Sequence, residues 1–133
     1  MIGILIISHC DIGKELLNAA ELIMGKLDAA SSISITQATE SEDLLKTIAE
    51  EIKSLDRGKG VLVLTDMFGG TPSNLSLSFL QEEMVEVLTG VNLPMLVEVV
   101  QNRERLSLSE LGVKAQEEGK KGIALAGNLL KSY

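Results

Sequence analysis

The only histidine of the chain, His9, stands where an apolar run, "IGILIIS", comes to an end. Asp66 ends a second apolar run, "GVLVLTD", far along the sequence. A carboxylate that accepts a hydrogen bond from one imidazole nitrogen fixes the ring tautomer and leaves the other nitrogen with a lone pair. If the two residues meet, His9 is a positioned nucleophile. Asp66 can then also stabilise the remaining ring N–H once the imidazole carries a phosphoryl group.

The segment that follows Asp66 carries groups suited to phosphoryl oxygens. In "MFGGTPSN" the two glycines let the backbone approach an anion closely, and hydroxyls follow them. A helix that begins at Pro72 would add its first backbone amides. The segment matches neither G-x-x-x-x-G-K-[ST] nor G-x-G-x-x-G, which disfavours a nucleotide site. We therefore predict phosphate-binding groups at Gly70, Thr71 and Ser73.

Each of these residues also has an ordinary structural interpretation. A histidine near a strand end is commonly just a polar residue, and an aspartate before a glycine loop commonly holds a turn. It is the pairing of His9 with Asp66 that favours chemistry. Cys10 is predicted to be a small filling residue and Asp11 the N-cap of the first helix. The methionines at positions 24, 67, 84 and 95 are predicted to pack in the core.

The elements that must position these groups alternate between strands and helices. Short runs rich in Ile, Val and Leu predict buried strands at 2–8, 32–36, 60–66 and 84–90. Three- and four-residue spacing of apolar residues between these runs predicts helices, and Ser41 is expected to cap the second. The buried face of the first is predicted to contain Leu16, Leu17, Ala20, Ile23, Met24 and Leu27. The pattern predicts an α/β fold with a doubly wound, parallel sheet and helices on both faces. With strand order 2-1-3-4, His9 and Asp66 border one crevice.

The remainder of the chain predicts two more helices, one after Asn92 and one after Ser107, where Glu110 completes a capping box. The stretch "GIALAGNLL" at 122–130 fits either the end of a helix or a fifth strand. No linker or repeat interrupts the chain, so we expect one domain over residues 1–133.

The charge and composition of the chain indicate which classes of partner it is suited to bind. The formal charge is −7, with 19 acidic and 12 basic side chains, and only 2% of residues are aromatic. This balance disfavours nucleic acid and anionic lipid, and it favours a basic protein partner. A single cysteine and no zinc-ligand spacing indicate a cytoplasmic protein, with no metal or cofactor expected. The sequence shows no export signal and no run long enough to cross a membrane.

Three segments together, "IISHCDIGKELLNAAELIMG", "GVLVLTDMFGGTPSN" and "VLTGVNLPMLVE", resemble the IIA domain of the mannose-type (mannose/fructose/sorbose) sugar phosphotransferase system. The resemblance covers nearly the whole chain and includes the specific pattern D-x-x-G-G-[ST]-P-x-N followed by G-x-N-x-P-M-L. One departure is Cys10, because the family commonly has glycine after the histidine.

The resemblance implies a phosphotransferase that works as a phosphohistidine carrier. It would accept a phosphoryl group from the phosphocarrier protein HPr on Nε2 of His9, with Asp66 as hydrogen-bonding partner, and pass it to a IIB component for sugar uptake. It implies a homodimer in which an antiparallel C-terminal strand is exchanged, and membrane association only through transporter components. Two alternatives stay open: a regulatory module whose phosphorylation state is read by another protein, and a flavodoxin-like binder of a small ligand. The sequence does not identify the sugar.

Overall fold

The computed structural model describes residues 1–37, 39 and 41–131; the side chain of Ser41, and with it the predicted helix cap, lies outside the described part. Within these residues, parallel strands form one sheet in the order β2-β1-β3-β4, as predicted. The strands are β1 Gly3–His9, β2 Ala30–Ile35, β3 Val61–Thr65 and β4 Val85–Thr89.

Helices connect the strands and cover both faces of the sheet, which confirms the predicted doubly wound fold. The helices are α1 Ile12–Met24, α2 Ser41–Leu55, α3 Thr71–Leu77, α4 Leu93–Asn102, α5 Leu108–Lys121 and α6 Ala126–Lys131. One apolar cluster joins one face of β1 and β3 to α1, α4 and α5. A second cluster joins the other face to α2 and to residues of the α3 segment. Neighbouring residues of a strand point to opposite faces, so Ile6 belongs to the first cluster and Ile7 to the second.

The register between β1 and β3 sets the position of the polar residues at the sheet edge. Ile7 lies opposite Thr65, the last residue of β3. The carboxyl ends of both strands therefore lie at the same edge of the sheet, where His9 ends β1 and Asp66 follows β3.

Two of the predicted helix starts have the predicted caps. The Ser107 hydroxyl accepts from the Glu110 N–H, and the Glu110 carboxylate accepts from the Ser107 N–H. The Asn92 side chain accepts from the Met95 N–H at 3.0 Å. These side chains satisfy amides that have no partner inside the helix.

The start of α1 differs from the prediction. Asp11 occupies the N-cap position, but among the described donors it is the Ser34 hydroxyl, 2.8 Å away, that its carboxylate accepts from, and not an amide of α1. The Ser8 hydroxyl caps the helix instead, because it accepts from the Gly13 N–H at 2.9 Å. The first helix is thus capped from the strand that precedes it.

The C-terminal stretch 122–130 is not a strand in this single chain. Its last residues form α6, and the exposed fractions of Ile123, Leu125 and Leu130 are 78%, 71% and 75%. Exposure of so many large apolar side chains is unusual for a surface without a partner. Exchange of this stretch with a second copy stays a prediction.

Several apolar side chains lie outside the core, contrary to the sequence pattern. Ile23 on α1 is 60% exposed, and Met67 and Met84 are 54% and 47% exposed, whereas Met95 is buried as predicted. Across the described ranges, no helix combines the length and the apolar character needed to cross a membrane.

Arg103 lies at the amino-terminal ends of β1 and β2, on the edge of the sheet opposite His9. This side chain is 4% exposed, and its guanidinium donates to the backbone carbonyls of Ile2, Asp28 and Ala29 at 2.9, 2.7 and 2.8 Å. It thereby connects the end of α4 to the starts of β1 and β2. A charged donor that serves three carbonyls in a buried place contributes more than a surface ion pair.

We expect Arg103→Met to lower the free energy of unfolding by about 3 kcal/mol, because it leaves the carbonyls without their donors. Urea denaturation followed by circular dichroism measures this change. Arg105→Met is the matched control, since Arg105 is exposed and donates to the Asn102 side chain; its effect should stay within about 0.5 kcal/mol. Equal stability of the two variants would contradict the assigned role of Arg103.

Candidate functional site

The structure brings His9 and Asp66 into direct contact at the carboxyl edge of the sheet. Nδ1 of His9 lies 2.8 Å from Oδ2 of Asp66, and the His9 backbone N–H donates to the same oxygen at 2.9 Å. Two donors from one residue therefore hold one carboxylate oxygen. The contact joins positions 57 apart in the sequence, and it exists because β1 and β3 are neighbours in the sheet.

The protonation of the pair follows from this geometry. Partial burial raises the pKa of Asp66, but the hydrogen bonds from the His9 backbone and ring, with the ring's charge, outweigh it and bring the pKa below the ordinary 3.8. Near neutral pH the carboxylate is ionised and only accepts hydrogen bonds. Nδ1 must therefore carry the ring proton, which leaves the lone pair on Nε2. The His9 side chain is 45% exposed, so this nitrogen belongs to a ring that an incoming group can reach.

Gly70 lies against the His9 ring. A Cβ atom at this position would lie 3.0 Å from Cε1 and 3.6 Å from Nε2 of His9. The backbone of Gly70 has an ordinary φ of −83°, so glycine is needed here for the close approach and not for an unusual conformation. Its carbonyl accepts from the Asn74 N–H at 2.9 Å, which begins α3. The glycine loop is thus held beside the atom that carries the lone pair.

The two predicted hydroxyl ligands differ in accessibility. Thr71 is exposed at the first position of α3, directly after Gly70. Ser73 is fully buried, and among the described residues its hydroxyl has no hydrogen-bond partner. The hydroxyl of Thr65, next to Asp66, is likewise buried and unpartnered within the described part. The sequence pattern does not mark Thr65 as a ligand of the phosphoryl group, although a threonine at the end of an otherwise apolar strand is a usable signal.

The segment that carries His9 is fixed on the side of β2 as well. The Cys10 N–H donates to the Ile35 carbonyl at 2.9 Å, and Asp11 accepts from Ser34 in the same strand. Asp66 is held in turn by the Met67 N–H, which donates to Oδ1 at 3.0 Å.

In the part of the chain that the structure covers, no group of three or more His, Cys, Asp and Glu side chains could hold a metal ion.

Cys10 occupies a strained position beside the pair. Its φ is +48°, in the left-handed region that glycine adopts without cost, and its side chain is exposed. The prediction that it fills space in the interior is therefore wrong. The family that this sequence resembles commonly has glycine after the histidine. The positive φ of Cys10 is a conformation that glycine adopts without strain.

We expect Cys10→Gly to raise the free energy of unfolding by about 1 kcal/mol, because it removes the clash between Cβ and the backbone at positive φ. Thermal denaturation measures the difference. Cys10→Ala is the control, since it removes the thiol and keeps the Cβ atom. The explanation fails if the glycine variant is no more stable than the alanine variant.

Comparison with known proteins agrees with this arrangement. The family model described as PTS system fructose IIA component matches residues 3–116. The mannose-specific EIIAB component of Escherichia coli is 36% identical over 124 residues, which make up 92% of this chain and 38% of that relative. This chain therefore spans well under half the length of those EIIAB relatives. The fructose-specific EIIA component of Bacillus subtilis is 32% identical over 112 residues, 84% of this chain and 77% of the relative.

Solved structures give the same result for the fold. A phosphotransferase system component EIIA from Streptococcus agalactiae has a TM-score of 0.87 at 30% identity, covering 96% of this chain and 99% of that chain. A PTS IIA protein associated with the fucose utilization operon of Streptococcus pneumoniae has a TM-score of 0.83 at 28% identity, covering 96% and 95%. With a family model that spans most of its length and relatives of this similarity, the chain belongs to the mannose-type IIA family of the sugar phosphotransferase system.

Proposed function

We propose that the protein is a phosphohistidine carrier, which accepts a phosphoryl group from HPr on Nε2 of His9 and passes it to a IIB component for sugar uptake. The observation that supports this most directly is the 2.8 Å contact between His9 Nδ1 and Asp66 Oδ2, which directs the imidazole lone pair to Nε2. A nucleophile with its tautomer fixed by a carboxylate needs no further activation step.

The proposed phosphoryl transfer requires no proton to move between the two proteins. The N–P bond in the donor's phosphohistidine breaks, and its electron pair returns to the donor's ring nitrogen. The lone pair of His9 Nε2 forms the new N–P bond, while each ring keeps the proton on its other nitrogen. The His9 ring becomes more positive during this step, and the ionised Asp66 stabilises it through the Nδ1 hydrogen bond.

The phosphoryl oxygens would be received by the start of α3. The backbone of Gly70 approaches the His9 ring, and the exposed Thr71 adds a hydroxyl at the same turn. Ser73 reaches an oxygen only if the first turn of α3 shifts, because its hydroxyl is buried. Most of the catalytic effect would then come from positioning and electrostatics.

The family and the net charge of the chain support HPr and a IIB component as the partners. A chain of net charge −7 attracts a basic phosphocarrier protein better than a free anionic metabolite. We place both exchange partners in the cytoplasm, with contact to the membrane only through transporter components. We take residues 1–133 to act as one IIA domain.

Incubation with phosphoenolpyruvate, the general phosphotransferase enzyme and HPr tests the carrier function. We expect a mass gain of one phosphoryl group that is labile in acid and stable in alkali, and its absence in His9→Ala. Asp66→Asn should slow loading about tenfold to a hundredfold, as loss of a partner that orients a histidine does elsewhere. Glu15→Gln, which changes an exposed carboxylate on α1, is the control.

Full labelling of His9→Ala would contradict the assignment of the acceptor residue. An equal loading rate for Asp66→Asn and Glu15→Gln would remove Asp66 from the mechanism. Discharge of the labelled protein onto IIB distinguishes a carrier from a regulatory module, since a module that only reports phosphorylation would keep its label.

We also propose that two copies form a dimer by exchanging residues 122–130 as an antiparallel strand. Among the described strands, β4 pairs with β3 alone. Val85 also bonds to Gln81, and beyond it the other edge of β4 offers backbone groups for a further strand. A groove of about 320 Å³ runs along that edge between β4 and α5. Apolar side chains of 122–130, exposed in the single chain, would be covered there.

Light scattering tests the dimer, which should have twice the chain mass of 14.3 kDa. Leu125→Asp should shift the mass toward one chain, because a carboxylate in the groove would lose its hydration without a partner. Leu22→Asp is the control, since Leu22 is 88% exposed on α1. Equal dissociation of both variants would contradict strand exchange, as would a single-chain mass for the unmodified protein.

A further inference from the structure

We propose that Met67 and Phe68 form the apolar contact on which the phosphorylated donor protein docks. This inference rests on the proposed carrier function and adds the surface that the donor uses. Both residues belong to the loop between β3 and α3, and both are large apolar side chains that the sequence pattern does not mark as surface residues.

Their exposure is the first observation. Phe68 is 74% exposed and Met67 is 54% exposed, side by side at the tip of the loop. Phe68 is one of two phenylalanines in a chain with one tyrosine and no tryptophan, so an exposed aromatic is a scarce feature here. Aromatic residues and methionine are enriched at protein interfaces and depleted from ordinary surfaces.

Their position beside the nucleophile is the second observation. A Cβ atom on Gly70 would lie 3.4 Å from Cγ of Met67 and 3.0 Å from Cε1 of His9. The Met67 side chain and the His9 ring therefore both border the space that a side chain at position 70 would occupy. Ile12, three residues after His9 at the start of α1, is a further exposed apolar side chain, at 48%.

Hydrogen bonds hold the backbone of the loop on both sides of Phe68. The Met67 N–H donates to Oδ1 of Asp66, whose other oxygen is held by His9, and the Gly70 carbonyl accepts from the Asn74 N–H at the start of α3. A backbone that is already positioned loses little conformational entropy on binding. The backbone that carries the two apolar residues is thus held beside His9 before a partner arrives.

These features indicate a protein as the occupant. Phosphoryl transfer requires the donor's phosphorus to come within about 3–3.5 Å of Nε2, so the protein surface around a phosphohistidine must cover the residues beside His9. A small anionic donor would gain nothing from Met67 and Phe68. The net charge of −7 favours a donor surface with basic side chains around an apolar centre. So small an apolar contact suits a complex that must dissociate after each transfer.

Loading from two donors of different size tests the assignment. The first donor is phosphorylated HPr, and the second is phosphoramidate, a small molecule that phosphorylates histidine without a docking surface. We expect Phe68→Ser to lower the second-order loading rate from HPr by about tenfold or more, as loss of a central interface aromatic does. Labelling by phosphoramidate should stay within twofold, since Phe68 takes no part in activating His9.

Two further variants sharpen the comparison. Phe68→Leu retains an apolar side chain and should recover most of the rate from HPr. Leu22→Ser is the matched control, because Leu22 is also an exposed apolar residue but lies near the far end of α1 from His9. It should load from both donors as the unmodified protein does.

An unchanged HPr rate in Phe68→Ser would overturn the proposal. So would an equal loss with both donors, which would mean that Phe68 acts on His9 itself, or a loss confined to discharge onto IIB, which would assign the pair to the acceptor. Failure of phosphorylated HPr to label the unmodified protein would instead contradict the proposed carrier function.

Discussion

Two hydrogen bonds from one residue to one carboxylate oxygen set the geometry at the functional edge of this protein. The backbone N–H and the ring of His9 both contact Oδ2 of Asp66, so the position of the strand and the orientation of the imidazole are determined together. This double contact requires β1 and β3 to be adjacent, parallel and in the observed register. A shift of one residue between the strands would move each side chain to the opposite face and separate the pair.

The surrounding structure limits movement of that contact. Ser8 caps α1, the Cys10 amide is bonded to β2, and Gly70 brings the next loop against the imidazole. The positive φ of Cys10 shows that the turn after His9 is retained at some conformational cost. The buried hydroxyls of Thr65 and Ser73, which have no partner among the described residues, lie in and beside the same loop. Polar groups left unsatisfied are thus concentrated where the chemistry is proposed, and the opposite edge of the sheet is held by Arg103.

Two of the apolar surfaces that are exposed in the described part of the chain are proposed to bind a partner, and they differ in character. The loop of Met67 and Phe68 is small, has its backbone hydrogen-bonded to Asp66 and lies next to His9, as a transient contact should. The C-terminal stretch is larger and follows α5, whose groove borders the open edge of β4. The local pattern of this stretch fits both the short helix that the single chain forms and the added strand that we propose, so neighbouring residues alone do not decide between them.

The sequence by itself determined the alternation of strands and helices, the strand order, the two side-chain caps at Asn92 and Ser107, and the candidate pair His9 and Asp66. Periodicity and capping chemistry can be read from neighbouring residues, and the small set of allowed topologies then places the ends of β1 and β3, with His9 and Asp66, at one edge of the sheet. The tertiary structure decided that Ser8 and not Asp11 caps α1, that Ser73 is buried, that Ile23 and Met67 are exposed, and that Cys10 has a positive φ. Those outcomes depend on which polar groups compete for the same hydrogen-bond donor and on which side chains are covered by another segment of the chain. Both conditions arise only when distant segments are packed together.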